Sequence, residues 1–134
     1  MPAAHRLIAA RALLVAVVLL LNSTFYWPKL TPEAEAAGAL IPHADKLVHT
    51  GIFALTVWTV LHLLAPRPAA RFAVAAIGAH AFVIEAVQSL MPLRSFDLAD
   101  IVADLVGVAA GAAVWALLRR RGAAGRRVPE RTGR

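Results

Sequence analysis

Nine residues between positions 45 and 104 combine reactive side chains with helical spacing: Asp45, Lys46, His49, Glu85, Gln88, Arg94, Asp97, Asp100 and Asp104. Asp45 and His49 are four apart, Glu85 and Gln88 three apart, and Asp97, Asp100 and Asp104 follow a three-then-four step, so each set shares one face of a helix. Five carboxylates stand against two fixed cations, Lys46 and Arg94. That excess suits a site for protons, a cation or a cationic group, whereas a cluster that only locks helices together needs balanced charges. His49 with Asp45, Glu85, Asp100 and Asp104 supplies hard oxygens and one imidazole, a set that could hold Zn, Mn or Mg. A single imidazole is a thin complement for zinc, and HExxH, GxSxG and phosphate-cradling glycine loops are all missing. The sequence therefore assigns no metal, no cofactor and no catalytic residue.

These residues must be positioned by elements built for an apolar solvent. Of 134 residues, 60% are hydrophobic and only 16% charged, which excludes a disordered tail, a nucleic-acid module and an ordinary cytosolic enzyme. The absence of cysteine excludes disulfides, thiolate zinc sites and thiol catalysis. A helix needs about 20 apolar residues to cross a bilayer, and four stretches qualify, at Leu7–Tyr26, Leu47–Ala65, Ala69–Leu90 and Leu98–Leu118. Phe25, Tyr26 and Trp27 close the first as an interfacial aromatic group, Pro66 and Pro68 mark a tight turn, and Pro92 ends the third. The expected fold is an all-α integral membrane bundle of four transmembrane helices over residues 1–118, followed by a basic, disordered tail over 119–134.

Lys and Arg set the orientation, because positive charge is retained in the cytoplasm. Arg6, Arg11, Arg67, Arg71 and the arginines from Arg119 onward fall on one side, whereas the connection carrying Lys29, Glu33, Glu35, Asp45 and Lys46 and the one carrying Arg94 and Asp97 are not distinctly basic. Both termini are therefore expected in the cytoplasm, and all nine polar residues in the outer half. The first span has an alternative reading as a signal peptide, although no small-residue cleavage pattern follows it. Asn22-Ser23-Thr24 matches a glycosylation sequon abutting the membrane. The tail needs no partner beyond anionic lipid and has neither a folded reader nor interleaved aromatics for nucleic acid.

Below the acids of the fourth span, Gly107 and Gly111 form a small-xxx-small pair that permits close helix approach, within the bundle or across a homodimer. The carboxylates on that face then point into protein. Glu85, six residues from the expected end of its helix, would lie about 9 Å below the outer terminus. His80 fits an interhelical hydrogen bond and His62 an interfacial position, while His43 lies in the outer loop.

The run Asp45-Lys46, His49, Glu85 and Gln88, Pro92 and Arg94, then Asp100 followed by Gly107 and Gly111, resembles the signature of the VanZ-like membrane proteins over roughly residues 40–118. One departure is Asp104, where the family pattern favours Asn. It adds negative charge unless protonated or compensated by a cation. The resemblance implies a multi-pass protein of the bacterial inner (plasma) membrane, in a family named for a member associated with resistance to the glycopeptide teicoplanin. The leading functional expectation is an envelope protein whose outward polar pocket binds a lipid head group, an envelope precursor, a glycopeptide or a small polar ligand. Glu85 would be a buried acceptor, Arg94 an anion contact and Asp100 a helix-positioning acceptor, supported by Lys46, His49, Asp45, Gln88, Asp97 and Asp104. The alternatives are an intramembrane metal-assisted or carboxylate-based enzyme and a proton-coupled transporter.

Overall fold

Uninterrupted apolar runs with few β-branched clusters and prolines confined to connections give helices throughout. The computed structural model describes residues 3–28, 31 and 43–125. Within them lie α1 (Ala3–Ser23), a 3-10 turn (Thr24–Tyr26), α2 (Ala44–Leu64), α3 (Ala69–Gln88) and α4 (Leu98–Gly125), with no strand among the described residues. Each of the four helices, α1 together with its 3-10 turn, is long and apolar enough to cross a membrane. Lys29, Glu33 and Glu35 lie outside the described residues, as does 126–134 of the expected tail.

Two helix ends differ from the expectation. Helix α3 stops at Gln88, two residues early, because Ser89, Leu90 and Met91 fold back in turns and Leu93 adopts a left-handed backbone with φ 60°. Helix α4 runs past Leu118 to Gly125, so Arg119, Arg120 and Arg121 are helical rather than part of a disordered tail. Arginine is a good helix former, and Arg119 lies over the Trp115 ring at 4.9 Å from its centroid.

Helix α2 packs against all three other helices, and its contact with α4 is the most intimate. A Cβ built on Gly107 would collide with the Thr50 carbonyl oxygen and lie 2.9 Å from the Phe53 Cβ; one on Gly111 would collide with the Ala54 carbonyl and lie 3.0 Å from its carbon. Only glycine allows the backbones this close. Thr50 Oγ1 adds a hydrogen bond to the Ala103 carbonyl at 3.0 Å. One apolar cluster joins Phe25, Ile52, Phe53, Ala81, Ile84 and Ile101, and a second joins Val57, Leu61 and Ala70, with Ala112 and Trp115 packed against it.

Helix α1 is peripheral. Leu7, Ile8, Leu13, Leu19 and Leu20 are exposed, and Val18 is its one buried residue. Asn22 Nδ2 ties it to the bundle by donating to Thr56 Oγ1 at 2.9 Å. The 3-10 turn then inserts Phe25 beside His49, ring centroids 4.5 Å apart.

Candidate functional site

The polar residues collect at the end of the bundle where α2 and α4 begin and α3 finishes. Asp97 precedes α4 and caps it, its Oδ1 accepting from the Ala99 N–H at 2.8 Å. Its own N–H donates to Glu85 Oε2 at 2.8 Å, so a carboxylate near the end of α3 fixes where α4 starts. Glu85 is three residues from the end of α3, about 4.5 Å along the axis rather than 9 Å, because the helix stops at Gln88.

Lys46 on α2 reaches across to α4. Its ammonium donates to Asp97 Oδ2 and Asp100 Oδ1, both at 2.9 Å, and to Asp45 Oδ2 at 3.1 Å. The Lys46 ammonium and the Ala99 N–H hold the Asp97 carboxyl below the usual aspartate range. One turn deeper, His49 Nδ1 and Asp104 Oδ1 are 2.9 Å apart, while His49 Nε2 faces Asp100 Oδ2 at 3.9 Å, beyond hydrogen-bond reach. Exposure falls steeply with depth: the side chains of Asp45, Asp97 and Lys46 are 59%, 42% and 26% exposed, those of His49 and Asp104 7% and 0%. The site has an open rim and a buried floor.

The floor is incompletely paired. Glu85 and Asp104 are fully buried, yet Glu85 Oε1 and Asp104 Oδ2 have no hydrogen-bond partner. Two groups have the proximity that a bound cation requires, with donor atoms all within 4.8 Å: Asp45, Asp97 and Asp100 at the rim, and His49, Glu85 and Asp100 at the floor.

Gln88 and Arg94 serve a different purpose. Gln88 Nε2 donates to the Phe25 carbonyl at 2.9 Å, and Arg94 Nη2 donates to the Trp27 carbonyl at 3.1 Å, so both bind the end of α1. Arg94 thus has a backbone oxygen as its partner, in the position where an external anion was expected. The Tyr26 hydroxyl pairs with His80 Nε2, in keeping with the interhelical hydrogen bond expected of His80, while the choice of Tyr26 as its partner, the Asn22–Thr56 tie and the Phe25 ring beside His49 escape sequence reasoning. The available signal was their position, since all three residues of the α1 end lie just before Pro28 at an interface. His62 stacks on Trp58 near the opposite end of α2, centroids 5.2 Å apart.

Four membrane-length helices with an acid-rich cluster built from three of them define a multi-pass membrane protein, all-helical in its described residues. The VanZ/LLP1 family model matches residues 8–119, which takes in most of α1 and α4, all of α2 and α3, and every residue of the cluster. The chain belongs to the VanZ/LLP1 family. Comparison with curated proteins and with solved structures found no significant match to either.

Proposed function

We propose that this protein is a binding component of the bacterial inner membrane, with both termini cytoplasmic and the α2–α3–α4 cluster opening on the outer side. The orientation rests on charge segregation: Arg67, Arg71, Arg119, Arg120 and Arg121 gather at the end opposite the carboxylates. The observation that carries the functional reading is the graded exposure of the cluster. Asp45, Lys46 and Asp97 form a rim at head-group level, where an acidic surface with one ammonium fits a polar group that carries an amine and can accept a hydrogen bond. An envelope lipid head group, a lipid-linked precursor or an amine-bearing glycopeptide has that chemistry. A link to glycopeptide resistance would follow from such binding. Gly107 and Gly111 of α4 pack against α2, so a homodimer would use another surface, such as the exposed apolar face of α1.

The test is binding of labelled undecaprenyl-linked precursors and glycopeptides to the protein in nanodiscs. Asp97→Asn and Lys46→Gln should weaken binding of the recognised ligand at least tenfold. Equal binding by wild type and both variants, or none by any, would overturn the proposal.

A further inference from the structure

The two groups close enough to hold a cation share Asp100, but they differ in one respect. The rim group, Asp45, Asp97 and Asp100, surrounds the Lys46 ammonium, a cation supplied by the chain itself. The floor group, His49, Glu85 and Asp100, meets a Lys or Arg nitrogen only at Asp100 Oδ1, 2.9 Å from the Lys46 ammonium, which leaves His49 and Glu85 without one among the described residues, and Arg94 donates to the Trp27 carbonyl. It is nonetheless the deeper of the two, where uncompensated negative charge is most costly.

We infer that the floor is a divalent-metal site in which His49 Nε2, Glu85 and Asp100 are the ligands and Asp104 orients the imidazole. Four observations support it. The donor atoms lie within 4.8 Å of one another, and His49 Nε2 and Asp100 Oδ2 are 3.9 Å apart. Two ligands of one ion, with bonds of about 2.0–2.6 Å, lie roughly 3–5 Å apart. In neutral His49, the hydrogen bond to Asp104 Oδ1 places the ring proton on Nδ1 and leaves the Nε2 lone pair facing the acids, the arrangement that metal-bound histidines show. Finally, the fully buried Glu85 keeps an unpartnered oxygen, and Asp104 behind His49 keeps another. Helix-locking accounts for Glu85 Oε2, which holds the start of α4, but not for these spare oxygens.

One imidazole with carboxylates selects a first-row ion of manganese or zinc type over calcium or magnesium, which take oxygen alone. This inference goes beyond the rim's ligand and does not depend on it. Rim variants can fail to bind a head group while the floor keeps its ion, and the reverse.

The experiment uses full-length protein in nanodiscs, stripped with chelator and dialysed against MnCl2 or ZnCl2, with bound metal measured per chain and Mn2+ followed by pulsed electron paramagnetic resonance. One equivalent of at least one metal is expected, with a nitrogen coupling on bound Mn2+ and a rise in melting temperature. His49→Gln and Glu85→Gln should each lower affinity at least tenfold, Asp104→Asn about tenfold by removing the carboxylate charge behind the imidazole while its amide oxygen still accepts from Nδ1, and His62→Gln, near the opposite end of α2, should keep wild-type affinity. Substoichiometric metal in wild type, or wild-type affinity in the folded His49→Gln and Glu85→Gln variants, overturns the inference. Should both variants fail to fold, the nitrogen coupling in wild type decides: its presence sustains the site and its absence removes it.

Discussion

The α2–α4 seam has two halves built on different principles. In the half holding Gly111, the Ala54 backbone, Val57, Leu61, Ala112 and Trp115 close the interface with apolar contact. In the half beginning above Gly107, Lys46, His49, Asp97, Asp100 and Asp104 face one another, and Glu85 joins from α3. The same pair of helices therefore packs without charge where packing is the only need. Buried ion pairs are rarely better than apolar side chains of similar volume, so the charged half is poorly explained by stability. It is better explained by binding.

The comparison breaks most readily at the glycines. Gly111→Ala would push a Cβ into the Ala54 carbonyl, a backbone group that cannot rotate away, and Gly107→Ala meets Thr50 in the same way. Each should cost about 3 kcal/mol or more, seen as loss of folded protein in a detergent melt. Gly51, with nothing within 4 Å of its added Cβ, is the control, and Gly51→Ala should be neutral or stabilising. Tolerance of Gly111→Ala would mean that the seam is looser than described.

Neutralising the floor sharpens the contrast. In chelator-treated protein, the combined Glu85→Gln and Asp104→Asn replacement keeps the acceptors used by the Asp97 N–H and by His49 while removing two buried charges. Stability should hold or rise by about 1–2 kcal/mol in the same melt. A large loss would show that the carboxylates serve the fold.

A smaller effect is expected where α1 docks. Asn22→Ala removes its hydrogen bond to Thr56, and interhelical bonds of this kind average about 0.6 kcal/mol in membrane proteins. Faster proteolysis or exchange of α1, with α2–α4 unchanged, is the expected readout. A cooperative loss of the whole bundle would contradict the peripheral role of α1.

The smallest effect belongs to pH at the rim. Asp97 has a depressed carboxyl when folded, so its stabilisation is present above the ordinary aspartate range and is lost as pH falls through the lower folded value. The half-exposed pair with Lys46 makes this contribution slight. Melts of Asp97→Asn should lack that part of the acid limb. An acid limb identical to wild type would place the titration elsewhere.

Much of this architecture is legible in the amino-acid sequence. Apolar run length fixes the four helices, and proline and aromatic punctuation places their connections close to where they fall. The i, i+3 and i, i+4 spacing brings Lys46, His49, Glu85, Asp97, Asp100 and Asp104 to one end, because a helix face follows from periodicity alone. Partner choice was not legible. Arg94 and Gln88 bind the carbonyls of Trp27 and Phe25, and a backbone oxygen leaves no mark in the sequence. Helix α3 ends before the expected Leu90 because Ser89 and Leu90, though compatible with helix, are drawn into the turn closed by Leu93. The overrun of α4 has the opposite cause, since arginines read as a solvated tail are also good helix formers.

Sidedness is the most direct test, because binding at the rim has meaning only if the rim faces out. The native chain has no cysteine, so Asp45→Cys and Asp97→Cys at the rim and Arg67→Cys at the basic end give clean labelling sites. With a membrane-impermeant maleimide, the two rim positions should react in intact cells and position 67 only after permeabilisation. Reaction of position 67 from outside, with 45 and 97 protected until the membrane is opened, would contradict the outward-facing site.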